Sequence, residues 1–140
     1  MLDAETRLSL QQKYYPYLRE HTFGPIQAAL ETYLGDSMVL DAGCGAGTWI
    51  LRASGLGARS VVGTDICLPE KLPTNPFVLA DLSHIPFAAD IFDLVVCYNV
   101  IEHLQQPSRV FTEFARVLKV GGALVFKTPC LLYTSPSPRD

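Results

Sequence analysis

The residues best suited to chemistry lie together in the stretch V-L-D-A-G-C-G-A-G-T, from Val39 to Thr48. Gly43, Gly45 and Gly47 alternate with small side chains, Cys44 among them, so the backbone can adopt positive φ and a ligand can lie against bare peptide. A helix starting just beyond offers unpaired N–H groups to a carboxylate or phosphate. The spacing separates two ligand classes. A dinucleotide fingerprint, G-x-G-x-x-G counted from Gly43, needs its third glycine at position 48, where this chain has Thr48. About 22 residues after Gly43 comes Asp65, at the end of a second apolar run. A carboxylate there is placed to accept hydrogen bonds from both hydroxyls of a ribose; the simpler reading is a solvated strand-end carboxylate.

The elements that must position these residues follow from apolar runs. Met38-Val39-Leu40, Val61-Val62, Phe77-Val78-Leu79, Leu94-Val95-Val96 and Leu124-Val125-Phe126 are short, continuous and closed by polar residues or glycine. That is the pattern of strands buried on both faces. Helical spacing appears at Thr48 to Ser54, and at Pro107 to Leu118 with Val110, Phe111, Phe114 and Leu118 on one face. Strand alternating with helix predicts a doubly wound α/β parallel sheet, Rossmann-like, with helices on both faces. Between Asp65 and Pro76 the chain carries Pro69 and Pro73, so a loop is expected there, and Pro76 suits an edge strand. Gly121-Gly122 reads as a turn ending the preceding helix. Upstream, Ala4 to Tyr15 and a helix from Pro25 make residues 1–36 an N-terminal helical segment.

The runs V-V-G-T-D-I, A-D-L-S-H-I-P-F, F-D-L-V-V-C-Y-N-V-I-E-H-L and R-V-L-K-V-G-G-A-L-V-F follow the glycine motif in order. With D-x-G-x-G-x-G after the first strand, the chain resembles the class I S-adenosylmethionine-dependent methyltransferases, from about Met38 to Thr128. The resemblance implies the strand order 3-2-1-4-5, the first five of the family's seven strands, and S-adenosyl-L-methionine as cofactor. It implies that Asp41 lies near the methionine amino group, or else supports the turn. Ile66 would lie against the adenine ring, or pack in the core. Asp81 would meet the adenine amino group with the backbone of Leu82 beside it, although Asp before Ser is also an ordinary turn former.

Asn99 to His103 closes the fourth strand and should face the methyl group and the acceptor, since ligands in open α/β sheets sit beyond the strands' carboxyl ends. In ubiquinone-type O-methyltransferases and small-RNA 2′-O-methyltransferases a related acid-x-x-Glu-His arrangement holds a metal. Here Asn99 replaces the first acid, so no metal is expected. His103 is left as a helix-cap or packing residue, or as a general base. His21 and His84 show no partner pattern and read as surface or loop residues. Trp49 reads as core filling.

Composition narrows the remaining choices. The chain has 140 residues, 49% of them hydrophobic and 18% charged, which suits one packed core. A net charge of -3 gives no broad attraction to phosphate backbones or anionic lipid, which disfavours nucleic acid as substrate, and no apolar run spans a bilayer, so the cytoplasm is expected; the family resemblance implies an enzyme acting on a small-molecule acceptor. Cys44, Cys67, Cys97 and Cys130 form no C-x-x-C pair. Residues 37–129 are taken as the cofactor-binding domain. The tail from Cys130, C-L-L-Y-T-S-P-S-P-R-D, resembles translated sequencing adapter and is set aside from the fold. On that reading the final two strands are missing, β-strand five is an open edge, and turnover is impaired.

Replacing Asp65 with alanine removes a charged acceptor of two hydrogen bonds. The expected loss is about 3 kcal/mol of cofactor affinity, or roughly 100-fold in Kd by calorimetry.

Overall fold

A computed structural model of the chain describes residues 33–45, 47, 57–72 and 75–128. Five strands run through it: β1 (Met38–Ala42), β2 (Ser60–Asp65), β3 (Phe77–Leu79), β4 (Phe92–Tyr98) and β5 (Leu118–Lys127). A short 3-10 turn covers Ile101–His103, and the helix α1 covers Pro107–Val117. All strand pairs are parallel and the order is β3-β2-β1-β4-β5, as the sequence implied. The winding reverses between β1 and β4, and that reversal opens a crevice beyond the carboxyl ends of these two strands.

Register and alternation explain why the runs are apolar throughout. Val39 lies between Val61 of β2 and Leu94 of β4. These three pack with Leu34, Cys44 and Val96 on one face of the sheet. The intervening residues Leu40, Ala42, Val95 and Cys97 point to the other face, where Val110, Phe114 and Val117 of α1 cover them. Both faces are dry, so neither carries the polar alternation of a half-exposed sheet.

Helix α1 begins with Pro107 in its first turn and buries Val110, Phe114 and Val117 at helical spacing. Phe111 lies at the margin, edge-on to Phe114 at 6.0 Å and to Phe126 of β5 at 5.5 Å between ring centres. Leu118 is already extended and pairs with Phe92, so the helix passes into β5 with no turn between them.

Gly121-Gly122 therefore does not end the helix, contrary to the sequence expectation; it lies inside β5. From the Phe92↔Leu118 pair to the Leu94↔Ala123 pair, β4 advances two residues and β5 five, so the extra length is absorbed as an irregularity of the strand. Gly121 has φ +81, and a Cβ on Gly122 would come within 2.9 Å of the Lys119 carbonyl. Paired glycines serve a turn and a bulge equally well, and tertiary pairing decides between them.

The other crossover behaves as expected, with no helix among the described residues between β2 and β3. Pro76 precedes the edge strand β3 and uses only its carbonyl, which accepts the Gly63 N–H at 2.9 Å. Among the described residues no helix is long and apolar enough to cross a membrane. Of the expected N-terminal helices only the end is described, with Tyr33 and Leu34 helical and Gly35 in a turn; the rest with His21, the helix at Thr48 to Ser54 with Trp49, and the tail from Cys130 lie outside the described residues.

The segment after β3 is clamped onto α1. Arg116 donates to the carbonyls of Phe87 at 2.7 Å and Ile85 at 2.9 Å, while Glu113 accepts the Ile85 N–H at 2.7 Å. Glu113 and Arg116 pair with each other at 2.7 Å. The Arg116 hydrogen bond, helped by the Ile85 amide, pushes the Glu113 carboxyl down to about 2. A depressed carboxylate stabilises the fold above its ordinary range near pH 4.5, and that contribution disappears as pH falls toward 2. Glu113→Gln is accordingly expected to flatten the acid limb of the stability curve between these values. Urea midpoints measured across that window test it, and parallel curves for the two proteins would refute it.

Candidate functional site

The crevice is built from the bend after β1, the end of β2 and the turn after β4. Gly43, Gly45 and Gly47 all take positive φ, at +77, +54 and +78. At Gly43 the requirement is also steric, because a Cβ there would overlap the Val100 side chain. The described residues of the bend already use their donors within the protein. Gly43 and Cys44 both donate to the Thr64 carbonyl, at 2.7 and 2.9 Å, and Gly47 donates to the Cys44 carbonyl at 2.9 Å. What the glycines supply here is closeness of backbone, not free N–H groups.

Asp65 ties the bend to the segment after β2. Its Oδ2 accepts the Gly45 N–H at 2.9 Å and its Oδ1 the Cys67 N–H at 3.0 Å. Each oxygen keeps a further lone pair for a ligand hydroxyl. Ile66 follows with 37% of its surface exposed, so the core-packing reading fails and an apolar side chain stands open beside the carboxylate.

Asp41 is buried at the end of β1, and its Oδ2 has no hydrogen-bond partner. Burial, reinforced by the negative charge of Asp65, pushes its carboxyl up to about 8. A buried acid beside a second acid is a place for a cation. Cys44 and Cys97 are free buried thiols pushed up by the same burial, Cys97 to about 12, and so are not nucleophiles at neutral pH.

Asp81 lies on the exposed loop after β3. Its Oδ1 accepts both the backbone N–H and the hydroxyl of Ser83, each at 2.8 Å, which holds the carboxyl below the usual range. The turn anticipated from sequence is therefore present. Leu82 buries its side chain in the face covered by α1 and anchors that loop.

After β4, Asn99 has φ +55 and donates its N–H to the Lys127 carbonyl at 2.8 Å, and its buried Oδ1 has no partner. Val100 then turns against Gly43, and the 3-10 turn carries Glu102 and His103. Glu102 is largely buried and accepts the Thr128 hydroxyl at 3.1 Å; its other oxygen lies 3.6 Å from His103 Nε2, an ion-pair distance. Among the described residues no three His, Cys, Asp or Glu side chains gather as a metal-holding group. Val100, Thr64 and Thr128 were missed in the sequence, where each reads as an ordinary strand or strand-end residue.

The family model described as a methyltransferase domain matches residues 40–126 of this chain. The chain belongs to the class I S-adenosylmethionine-dependent methyltransferases. This methyltransferase chain is 28% identical over 134 residues to a malonyl-[acyl-carrier protein] O-methyltransferase from Salmonella typhimurium, covering 89% of this chain and 51% of that protein. It is 34% identical over 101 residues to a tRNA U34 carboxymethyltransferase from Hahella chejuensis, covering 64% of this chain and 31% of that protein. Among solved structures it matches an S-adenosylmethionine-dependent methyltransferase from Mesorhizobium loti with a TM-score of 0.72 and 26% identity, covering 85% of this chain and 58% of that one. The chain thus spans about half or less of the length of these curated relatives.

The family's cofactor is S-adenosyl-L-methionine, and the crevice fits it. An ammonium or sulfonium answers the buried, unpartnered Asp41 oxygen.

Because the Asp41 carboxyl is raised, its neutral form is the one the fold favours. Stability is full below the ordinary carboxylate range near pH 4 and is lost as pH rises through about 8. Asp41→Asn is expected to abolish that loss in the ligand-free protein while weakening cofactor binding. Denaturation midpoints from pH 4 to 9, paired with calorimetry, test both effects. Unchanged slopes would remove the burial argument.

Proposed function

We propose that this chain is the cofactor-binding part of a cytoplasmic enzyme that methylates an oxygen, nitrogen or carbon nucleophile of a small molecule. Residues 37–129 form that domain in this reading, with 1–36 an N-terminal helical segment and 130–140 apart from the fold. The observation that carries the proposal is the bend at Gly43 to Gly47 flanked by two acids of different character, Asp41 buried and unpartnered, Asp65 held by amides. The net charge of -3 supports a small acceptor over a nucleic acid.

When bound, S-adenosylmethionine supplies a methyl group on a sulfonium, an electrophile that needs no further activation. The protein's part is then mostly alignment, an effect worth roughly 7–11 kcal/mol when the reacting atoms are well oriented. Asp41 binds the methionine ammonium, and Asp65 takes the ribose hydroxyls. Ile66 covers the adenine, whose amino group meets Asp81 beside Leu82. Gly43, Cys44, Gly45 and Gly47 bring the backbone close enough for these contacts to be simultaneous. Asn99 offers its buried carbonyl oxygen at the methyl end. His103 removes the proton from the acceptor, and Glu102 stands at its side to balance the imidazolium charge.

Calorimetry on the full chain is expected to show uptake of S-adenosylhomocysteine and none of NAD; NAD uptake alone would overturn the cofactor reading. Transfer of labelled methyl groups is then assayed against small-molecule acceptors and bulk tRNA in parallel. Label confined to tRNA would overturn the acceptor class. Binding with no transfer to any acceptor would favour a non-catalytic binding role.

A further inference from the structure

In sequence His84 shows no partner pattern. It is exposed, yet both ring nitrogens are engaged: Nδ1 lies 3.0 Å from the Ser83 hydroxyl, and Nε2 lies 2.7 Å from Nη2 of Arg109. The Ser83 hydroxyl in turn lies 2.8 Å from Asp81 Oδ1. Four side chains from the loop after β3 and from the first turn of α1 form one line.

Hydrogen-bond capacity fixes the direction of that line from both ends. Arg109 can only donate, so His84 Nε2 must be the acceptor and the ring proton must sit on Nδ1. Asp81 as a carboxylate can only accept, so the single Ser83 hydroxyl proton points to it, leaving the hydroxyl oxygen to accept from Nδ1–H. The two deductions agree. Every donor in the line points toward Asp81: Arg109 to His84, His84 to Ser83, Ser83 to Asp81 Oδ1. Arg109 also donates from Nε to the Ser83 carbonyl at 3.2 Å, holding the backbone of the same loop.

Two further observations give the line a purpose. Arg109 sits in the first turn of α1, where the helix dipole disfavours a cation and where no acidic residue compensates it. Its placement is therefore explained by the contacts it makes to the loop. Both bonds from Ser83 end on Oδ1 of Asp81, so the carboxylate is pinned by one oxygen and presents the other, Oδ2.

We propose that Arg109, acting through His84 and Ser83, is a positioning residue for Asp81 and thereby sets the selectivity of the site for an adenine over a purine lacking the exocyclic amino group. The inference rests on the adenine role proposed for Asp81. A pinned acceptor receives the amino donor of adenine and opposes the carbonyl oxygen that replaces it in hypoxanthine. A carboxylate free to rotate discriminates less.

Calorimetry on the full chain with S-adenosylhomocysteine and S-inosylhomocysteine tests this, the ratio of their Kd values being the readout. Asp81→Ala is expected to bring the ratio near one. Ser83→Ala and Arg109→Ala are expected to lower it by about three- to tenfold, with Arg109→Lys restoring part of it because an ammonium still donates to His84. If Asp81→Ala lowers the ratio and the other two variants do not, the line is overturned and the Asp81 role stands. If Asp81→Ala leaves the ratio unchanged, both fall. Equal weakening of both ligands by Arg109→Ala would also overturn the proposal, since it would mark a role unrelated to the amino group. A ligand-independent measurement accompanies these: 15N NMR of the imidazole should find neutral His84 protonated on Nδ1, and protonation on Nε2 would exclude the line outright.

Discussion

Gly43 and Val100 meet where the first strand's bend touches the turn after the fourth, and the crevice exists because they can touch. β1 and β4 are hydrogen-bonded neighbours, but their carboxyl ends lead into opposite directions of winding. Any side chain at position 43 would drive the two turns apart. The same contact brings the Asn99 to His103 stretch alongside the bend, so residues from distant parts of the sequence share one crevice. The Thr64 carbonyl, accepting two successive amides, locks the bend from the β2 side.

Within that frame the two acids at the strand ends are treated differently by their surroundings. Asp65 is held by a protein amide on each oxygen, from Gly45 and from Cys67. Asp41 is buried with one oxygen unpartnered, and its charge is disfavoured until a cation arrives. Placing the neighbouring negative charge of Asp65 nearby raises that cost further. The arrangement holds electrostatic tension in the ligand-free protein that a positively charged ligand relieves, so binding and stability are linked at this residue.

Much of this is legible in the sequence. Strand centres such as Leu40, Val62 and Val95 stood out because a parallel sheet is dry on both faces and leaves unbroken apolar runs. The alternating glycines announced the bend, and the break from the dinucleotide spacing at Thr48 announced the ligand class. What could not be read depends on contacts between distant residues. Val100 looks like any strand-end valine, and His84 lacks partners in sequence because Arg109 lies a full strand and loop away. Gly121-Gly122 reads as a turn in sequence because local preference cannot tell a chain reversal from a strand irregularity. The helix start expected to offer free amides lies outside the described residues, and three amides of the bend itself are held by Thr64 and Asp65, contacts that no local pattern announces.

The irregularity near the start of β5 has a consequence for how this part of the molecule can vary. Helix α1 passes into the strand with nothing between them, so a change in chain length there has no connecting segment to take it up. The stretch around Gly121 already stores surplus residues outside the regular ladder, and from Ala123 onward the strand is back in step with β4. Residues gained or lost in that slack would leave Lys127 and Thr128 where they are, with Thr128 still seated on Glu102 at the mouth of the crevice. The far end of the strand is thus buffered against changes of chain length at its near end.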